Sequence, residues 1–587
     1  MRLVFAACLA LGLLGAEAIA QTTYGPIPLQ RFAQGVSLGS PAEWGSLEVA
    51  VTTPTRTFTV PDVLLGGHAW HAARVRYSVD HAQGHIGDPA GGLRRLCQMG
   101  GGRRDGGGCQ VTVTYRPGYT APPIRTEAGV NVIRLEEWGL GTATDDAGAV
   151  LNRALNALRE TPGCDRIEIP AGTFTYNQPT ILHGCLEIRG AGAVATEATP
   201  VDGVARVVPQ PQGRTTFRLA DNRVASRDPV LAALRLSNIA WSAQEHAAGS
   251  DTRITITDVH LDGNTEGNLA AYRAANEGRF FQDGPTWTGI STSNHHGLAR
   301  CPEAVATRLT LRRVHIEGFG ATGVLSAGTC DTATLETARI EDAIHNHLLY
   351  DVGGTWDRVT LAGAAWSHVV VNRDVEASEV VIETTSNVVN RNSPNVFGVR
   401  SGHLAIDGFY ADTRPAHHRV LFDAKRRGSV TLRGGLWRAD AASGLFSGGR
   451  ESLVARDVGI EAQVTAYPIV SNLRARTVRL DGVTVREGRP EEGHDRTAIV
   501  SVRSSPEGGA TLSVTDSDLP GVRLVAVDHS RGRARLTAAI DRASASGLAY
   551  RHLTHRGSDR NVSGFRFCLP APTYADASPA DCEGIQR

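Results

Sequence analysis

Asn131-Val132-Ile133-Arg134-Leu135, Trp138-Gly139 and Thr144-Asp145-Asp146 lead into Ala147-Gly148-Ala149-Val150-Leu151-Asn152-Arg153-Ala154-Leu155-Asn156-Ala157-Leu158, and the reading of this stretch decides the fold. Ala147, Val150, Leu151, Ala154, Leu155 and Leu158 recur at helical spacing behind a capping Thr/Asp, so the segment reads as one amphipathic helix. The period then changes. Ile167 and Ile169 alternate, Pro170-Ala171-Gly172 turns, Phe174 and Ile181-Leu182 resume, and Leu186-Glu187-Ile188-Arg189-Gly190-Ala191-Gly192 closes the set. A helix with one apolar face that gives way to short strands reads as a cap on a stack.

Downstream, one phrase recurs. Ile254-Thr255-Ile256-Thr257-Asp258-Val259-His260-Leu261-Asp262-Gly263 is echoed by Leu309-Thr310-Leu311-Arg312-Arg313-Val314-His315-Ile316-Glu317-Gly318. Further echoes end at Ile340, Leu361, Ile382, Ala411, Trp437, Ile460, Val485 and Leu519. A period of roughly twenty-odd residues with no intervening helix means a solenoid of strands. Many phrases precede a second short strand: Val324-Leu325-Ser326, Leu348-Leu349-Tyr350-Asp351, Val369-Val370-Val371-Asn372, Val420-Leu421-Phe422-Asp423 and Ile469-Val470-Ser471-Asn472. Stacking the coils sets these second strands side by side in one parallel sheet.

The order Trp138-Gly139, Thr144-Asp145-Asp146, helix, Ile167-Glu168-Ile169-Pro170-Ala171-Gly172-Thr173-Phe174, then Ile181 to Gly192, resembles the opening of the pectate-lyase-like right-handed parallel β-helix superfamily, in the branch of phage tailspikes and polygalacturonase relatives. Trp138-Gly139-Leu140 replaces that family's usual Phe-Gly-Ala. The resemblance implies a right-handed parallel β-helix with an N-terminal capping helix, and a glycan lying across the outer surface of one sheet. It implies less about the reaction, because these residues build the cap and first turns. The family's Asn-Thr-Asp, Gly-His-Gly and Arg-Ile-Lys signatures are missing, so pectin hydrolysis by that mechanism is not expected.

The rest of the 587-residue chain sets bounds. Residues 1–20 read as a secretory signal, with Arg2, an apolar run from Leu3 to Leu14, and Ala18-Ile19-Ala20 as the cleavage site. That run is too short to span a bilayer, so a secreted or periplasmic protein is expected. Eight further cysteines fall in couples, Cys97 with Cys109, Cys164 with Cys185, Cys301 with Cys330 and Cys568 with Cys582, and favour disulfides in an exported chain. With no C-x-x-C, zinc is not expected. Lys+Arg and Asp+Glu balance at 60 each, which gives no basic field for nucleic acid. Residues 21–123, with alternations at Leu47–Val51, Phe58–Val60, Val75–Val79 and Val111–Tyr115, read as a small β-sandwich whose Cys97–Cys109 segment is a tied loop. Residues 124–545 are assigned to the β-helix and 546–587 to a C-terminal cap or tail.

Aligning the second strands puts His347, His368 and Arg419 in one column and Asp351, Asn372 and Asp423 in another, both pointing outward, with Asp374 and Lys425 two positions beyond. Lys425 is the chain's lone lysine, every other Lys or Arg being Arg. A desolvated amine loses its proton far more readily than a guanidinium, so Lys425 is the candidate base for taking the C5 proton of a uronic acid, with Arg419 neutralising the carboxylate. Related lyases use calcium, and Asp351, Asp374 and Asp423 are its candidate oxygen ligands; His347, His368 and Asn372 are candidate substrate contacts. The plainer reading is that Lys425-Arg426-Arg427 is a solvated charge run at a turn. The expected function is a polysaccharide lyase; a glycoside hydrolase using Asp351 with Asp374 or Asp423, and a non-catalytic glycan-binding or adhesin-like rod, stay open.

Overall fold

The computed structural model describes residues 22–32, 46–61, 89–116, 122–141, 146–158, 161–177, 180–221, 239–243, 252–268, 288–292, 307–320, 322–326, 331–343, 348–350, 353–364, 368–383, 395–414, 420–424, 427–442, 445–448, 451–464, 470–473, 476–486, 498–502, 510–519, 523–528, 536–541, 544–545, 550–553 and 565–568. The signal segment, Cys301, Cys330, Cys582 and the expected strand at Val75–Val79 lie outside them. No helix among the described residues is long and apolar enough to cross a membrane.

Near the N-terminus, Thr22–Pro28, Ser46–Thr52, Thr57–Pro61 and Gln110–Arg116 form one antiparallel sheet, with Gln110–Arg116 between Thr22–Pro28 and Ser46–Thr52. Instead of a second facing sheet, the described residues supply a helix, Pro89–Met99, packed near Ser46–Thr52. Leu93, Leu96 and Cys97 fall at helical spacing and are fully buried. Cys97 therefore sits on a helix rather than in the loop expected there, and its disulfide to Cys109 ties the helix end to the start of the next strand. Gly102 packs on that bond: a Cβ there would lie 2.2 Å from Cys97 Sγ.

From Asn131 the chain coils. Asp146 caps the helix Ala147–Leu158, its Oδ1 accepting from Gly148 N at 3.0 Å and Ala149 N at 3.3 Å. The helix buries Ala147, Val150, Leu151, Ala154, Leu155 and Leu158 against Gly172–Tyr176 and Thr180–Leu182 at the start of the coils. The Cys164–Cys185 disulfide then joins two neighbouring rungs.

Each later coil runs through two arms of one long parallel sheet and crosses to a second parallel sheet, which has 13 strands among the described residues. This is a parallel β-helix, and strand crossovers of this kind are right-handed. Its inner ladder is the apolar series of the repeated phrase: Phe174, Phe217, Leu261, Ile316, Ile340, Leu361, Ile382, Ala411, Trp437, Ile460 and Val485 pair rung to rung. All of them are buried in one continuous core. Paired strands continue through Phe565–Cys568, past the expected boundary at residue 545.

A single residue in the left-handed region bends the chain between the two arms. Asp258, Arg313, Thr337, Arg358, Glu379, Asp457 and Asp516 hold φ between 46° and 59°, and Gly408, Gly434 and Gly482 take the same place on other coils. A side chain in this region costs about 1–2 kcal/mol. The ladder recovers that cost because a corner on every rung lets both flanking arms stay paired. Arg313, for example, donates its N–H to Glu336 O at 2.8 Å on the next rung.

Among the described residues, one excursion leaves the coil. Val194–Ala198 and Ala205–Pro209 form a hairpin that lies across the outer face of the second arms of three coils, Thr332–Ala343, Gly354–Ala364 and Val375–Glu383. Val207 N donates to Thr360 Oγ1 at 2.8 Å, Arg339 Nη1 to Val207 O at 2.9 Å, and Ala205 N to Glu379 Oε2 at 3.3 Å. Val204 completes the attachment by packing on Val381 and Tyr410.

Candidate functional site

Strand pairing in the second sheet follows a different register from the one expected from the sequence. A strand at Asn395–Val399 intervenes between Val369–Val371 and Val420–Ala424. The pairing runs Tyr350, Val370, Gly398, Asp423, Ser447, Ser471, with Leu349, Val369, Phe397, Phe422 and Phe446 as the adjoining inward row. Phe397 stacks on Phe422 at 4.8 Å, and this apolar row fixes the register. Asp423 is half-buried on the outer side, as expected. Asn372, two residues past Val370, does not share its row, so the expected column of Asp351, Asn372 and Asp423 is not formed.

The remaining residues divide in three. His368 is fully buried rather than outward: it precedes the strand, and its Nε2 lies 3.3 Å from Glu383 O. Asp374 is exposed at the start of the following arm, where its Oδ1 accepts from His403 N at 2.8 Å. Lys425, Arg419, Asp351 and His347 lie outside the described residues. Of the three proposed calcium ligands, Asp374 and Asp423 are not brought to one point by this register, so nothing is routed through Ca²⁺.

The corrected register reveals two groups the sequence reading passed over. Arg400 follows Val399 on the intervening strand; its Nη1 donates to the Tyr350 hydroxyl at 3.0 Å, and its guanidinium lies 5.5 Å from the Tyr350 ring centre. Between their rungs lies Val370, only 2% exposed. Arg312, Arg313, Arg339 and Arg438 each have a carboxylate partner. Arg400 is exposed and has none among the described residues. Val399 pairs with Ala424, and the residues that follow them in the chain are Arg400 and Lys425.

A second cluster occupies the outer face of the long sheet, on either side of the inner ladder. His260, His315, Arg339 and Thr360 form one outward row, and Asp262, Glu317, Glu341, Ala362 and Glu383 the other. The His260 and His315 rings stack at 4.3 Å with planes 11° apart, and each is 1% exposed. His260 Nε2 lies 2.8 Å from Glu317 Oε1, and His315 Nε2 lies 2.6 Å from Glu341 Oε1. Arg339 continues the chain to Glu341 and Glu383, and Arg206 of the hairpin closes it by pairing with Glu383 at 2.9 Å. The signal was present in the sequence as Val-His-Leu-Asp-Gly and Val-His-Ile-Glu-Gly, read there only as a repeat.

Burial and charge set the protonation of this cluster. Burial lowers the His260 pKa, with Glu317 opposing. Burial alone would raise Glu317, but contact with His260 and the charge of both imidazoles hold it below the usual range. Glu341, also opposed by burial, is held at about 2 by His315 and Arg339. Asp342 is pushed up to about 6 by burial and by the charges of Glu341 and Glu317. Two imidazoles and two carboxylates in such contact can move protons or hold a cation.

No family model matches this chain, and no curated protein does. Among solved structures, the A-module of the Azotobacter vinelandii mannuronan C-5 epimerase AlgE6 is similar at 14% identity and a TM-score of 0.32, over 75% of this chain and 100% of that one. The catalytic domain of a GH87 α-1,3-glucanase is similar at 11% identity and 0.34, over 95% and 97%. The Streptococcus pneumoniae surface protein and adhesin PfbA is similar at 11% and 0.35, over 75% and 100%. An epimerase, a glucanase and an adhesin at these scores favour no one reaction, and the functional reading rests on the residues.

Proposed function

We propose that this protein processes an acidic polysaccharide on the outer face of its second sheet, by β-elimination at a uronic acid. The observation that carries this reading is Arg400, an exposed guanidinium without a carboxylate partner among the described residues, held against the Tyr350 ring and hydroxyl. A guanidinium matches a carboxylate in geometry and charge, and an aromatic ring beside it suits the apolar face of a sugar. Neutralising the uronate carboxylate lowers the cost of taking the C5 proton. The base takes that proton, the C4–O4 bond breaks, a C4=C5 double bond forms, and the departing oxygen receives a proton. Tyr350 Oη, 3.0 Å from Arg400 Nη1, is the described group suited to proton transfer. Lys425 remains the base read from the sequence. Hydrolysis by paired carboxylates fits less well, because Asp374 is engaged by His403 N and no second carboxylate shares the row of Asp423 among the described residues.

The test is incubation with acidic and neutral glycans, following the ultraviolet absorbance of unsaturated uronates. Absorbance growing on an acidic glycan alone is expected, and Arg400→Gln should lower kcat/KM at least about tenfold, the loss of one charged hydrogen bond discounted for exposure. Reducing ends without absorbance would replace this reading with hydrolysis, and retention of glycan without products would replace it with a binding role. Full turnover in Lys425→Arg would remove Lys425 as the base and leave Tyr350→Phe to decide.

A further inference from the structure

We propose that His260, His315 and Glu317 form a binding site for a first-row transition-metal dication, with Zn²⁺ the closest match. The site lies on the long sheet, away from Tyr350 and Arg400, and does not rest on the glycan reading. One ligating atom from each of His260, His315 and Glu317 lies within 4.8 Å of the other two. His260 Nε2 is 2.8 Å from Glu317 Oε1, and His315 Nε2 is 3.6 Å from Glu317 Oε2. A zinc ion with bonds of about 2.0–2.2 Å holds its donors about 3.4 Å apart. The observed separations fall on both sides of that value, and the stacked rings, with planes 11° apart, must turn out of parallel for both lone pairs to meet one ion.

Hydrogen bonding points the same way. Glu317 Oε1 lies 2.8 Å from His260 Nε2 but is poorly aligned for a hydrogen bond, and no other described group satisfies this buried nitrogen. The opposite nitrogen is engaged: His260 Nδ1 lies 3.0 Å from Thr216 Oγ1. A hydroxyl on Nδ1 orients the ring and leaves Nε2 as the ligating atom. His315 Nδ1 is likewise buried without a partner, so the paired rings carry more polar capacity than the protein fills. Glu341, 2.6 Å from His315 Nε2, adds negative charge beside the site, and the ion must displace that hydrogen bond to reach the nitrogen.

Imidazole nitrogen selects against Ca²⁺ and Mg²⁺, which prefer all-oxygen shells, and the set needs no cysteine. Rigidity comes from the fold: the two imidazoles are register partners on adjacent rungs, and Glu317 stands two residues past His315 on the same face. Glu317, with its side chain 29% exposed, gives the ion its way in.

The experiment uses the full chain, stripped with EDTA and titrated with Co²⁺ while its visible bands are followed, then with Zn²⁺ by calorimetry, with elemental analysis for stoichiometry. One ion per chain is expected. His260→Gln and Glu317→Gln should abolish that site and its cobalt bands, while Thr216→Val should weaken Zn²⁺ binding about ten- to hundredfold. Circular dichroism checks folding, and the milder Glu317→Gln and Thr216→Val variants decide if His260→Gln does not fold. Wild-type protein that binds no more Zn²⁺ or Co²⁺ than His260→Gln overturns the proposal, as do unchanged cobalt bands in Glu317→Gln or stoichiometric displacement by Ca²⁺.

Discussion

Asp342→Asn should make this protein more stable at neutral pH by removing a charge. Asp342 sits at a corner with φ 56°, directly after Glu341. Burial, then the charges of Glu341 and Glu317, push its pKa from 3.8 to about 6, while Arg339 and His315 pull the other way. A raised carboxylate holds its proton more tightly in the folded state, so its contribution is full below 3.8 and is lost as pH rises through about 6. The gap between those values, at about 1.4 kcal/mol per pKa unit, is about 3 kcal/mol. At pH 7 the folded protein therefore carries a half-buried ionised carboxylate among like charges. Asparagine removes the charge and tolerates the left-handed conformation, as Asn264 does at φ 52°. Urea unfolding of EDTA-treated protein at pH 4.5 and 7 measures the effect. The variant should be more stable than wild type by up to about 3 kcal/mol at pH 7 and by much less at pH 4.5. Equal stability at pH 7, or the same difference at both pH values, would refute the reasoning.

Other perturbations probe the frame. Glu341, held at about 2 against an ordinary 4.5, contributes stability that is present above 4.5 and lost as pH falls through about 2, and Glu341→Gln should flatten acid unfolding across that window. Gly434→Ala meets no atom within 4 Å but holds φ 64°, so it should cost about 1–2 kcal/mol; Gly435→Ala would bring a Cβ to 2.6 Å from Phe409 O and should cost clearly more by the same unfolding assay. Arg339→Met leaves Glu341 and Glu383 without their shared cation, and a loss of about 3–5 kcal/mol is expected, part of it recovered on adding Glu341→Gln. Phe422→Ala empties the middle of the Phe397, Phe422 and Phe446 row and should cost about 3–5 kcal/mol, seen as a lower urea midpoint and faster proteolysis.

The long sheet was legible in the sequence because its inward positions are bulky and regularly spaced: the series from Leu261 to Val485 is also the ladder of register partners. A side-chain period of two then settles which neighbours face out, and His260, His315 and Glu317 follow directly from that series. The second sheet was harder to read. Its strands are as short as Leu349–Tyr350, and Asn395–Val399, with Gly398 next to its end and Asn392-Ser393-Pro394 before it, carries little strand signal. Through that strand Val371 aligns with Ala424, which leaves Asp423 two positions from the row of Asn372, and missing it hid Arg400, whose approach to Tyr350 spans two rungs. The hairpin at Val194–Pro209 was beyond reach for a different reason, since its partners lie far along the chain and share no local pattern with it.

That hairpin has a consequence for the order of assembly. Coils in a solenoid otherwise touch only their neighbours, so each can settle in turn along the chain. The hairpin instead fastens to Thr360, Glu379 and Glu383, between 153 and 177 residues downstream. It must wait, undocked, until those turns exist, and it then clamps early and late windings into one cooperative block that cannot unzip a coil at a time.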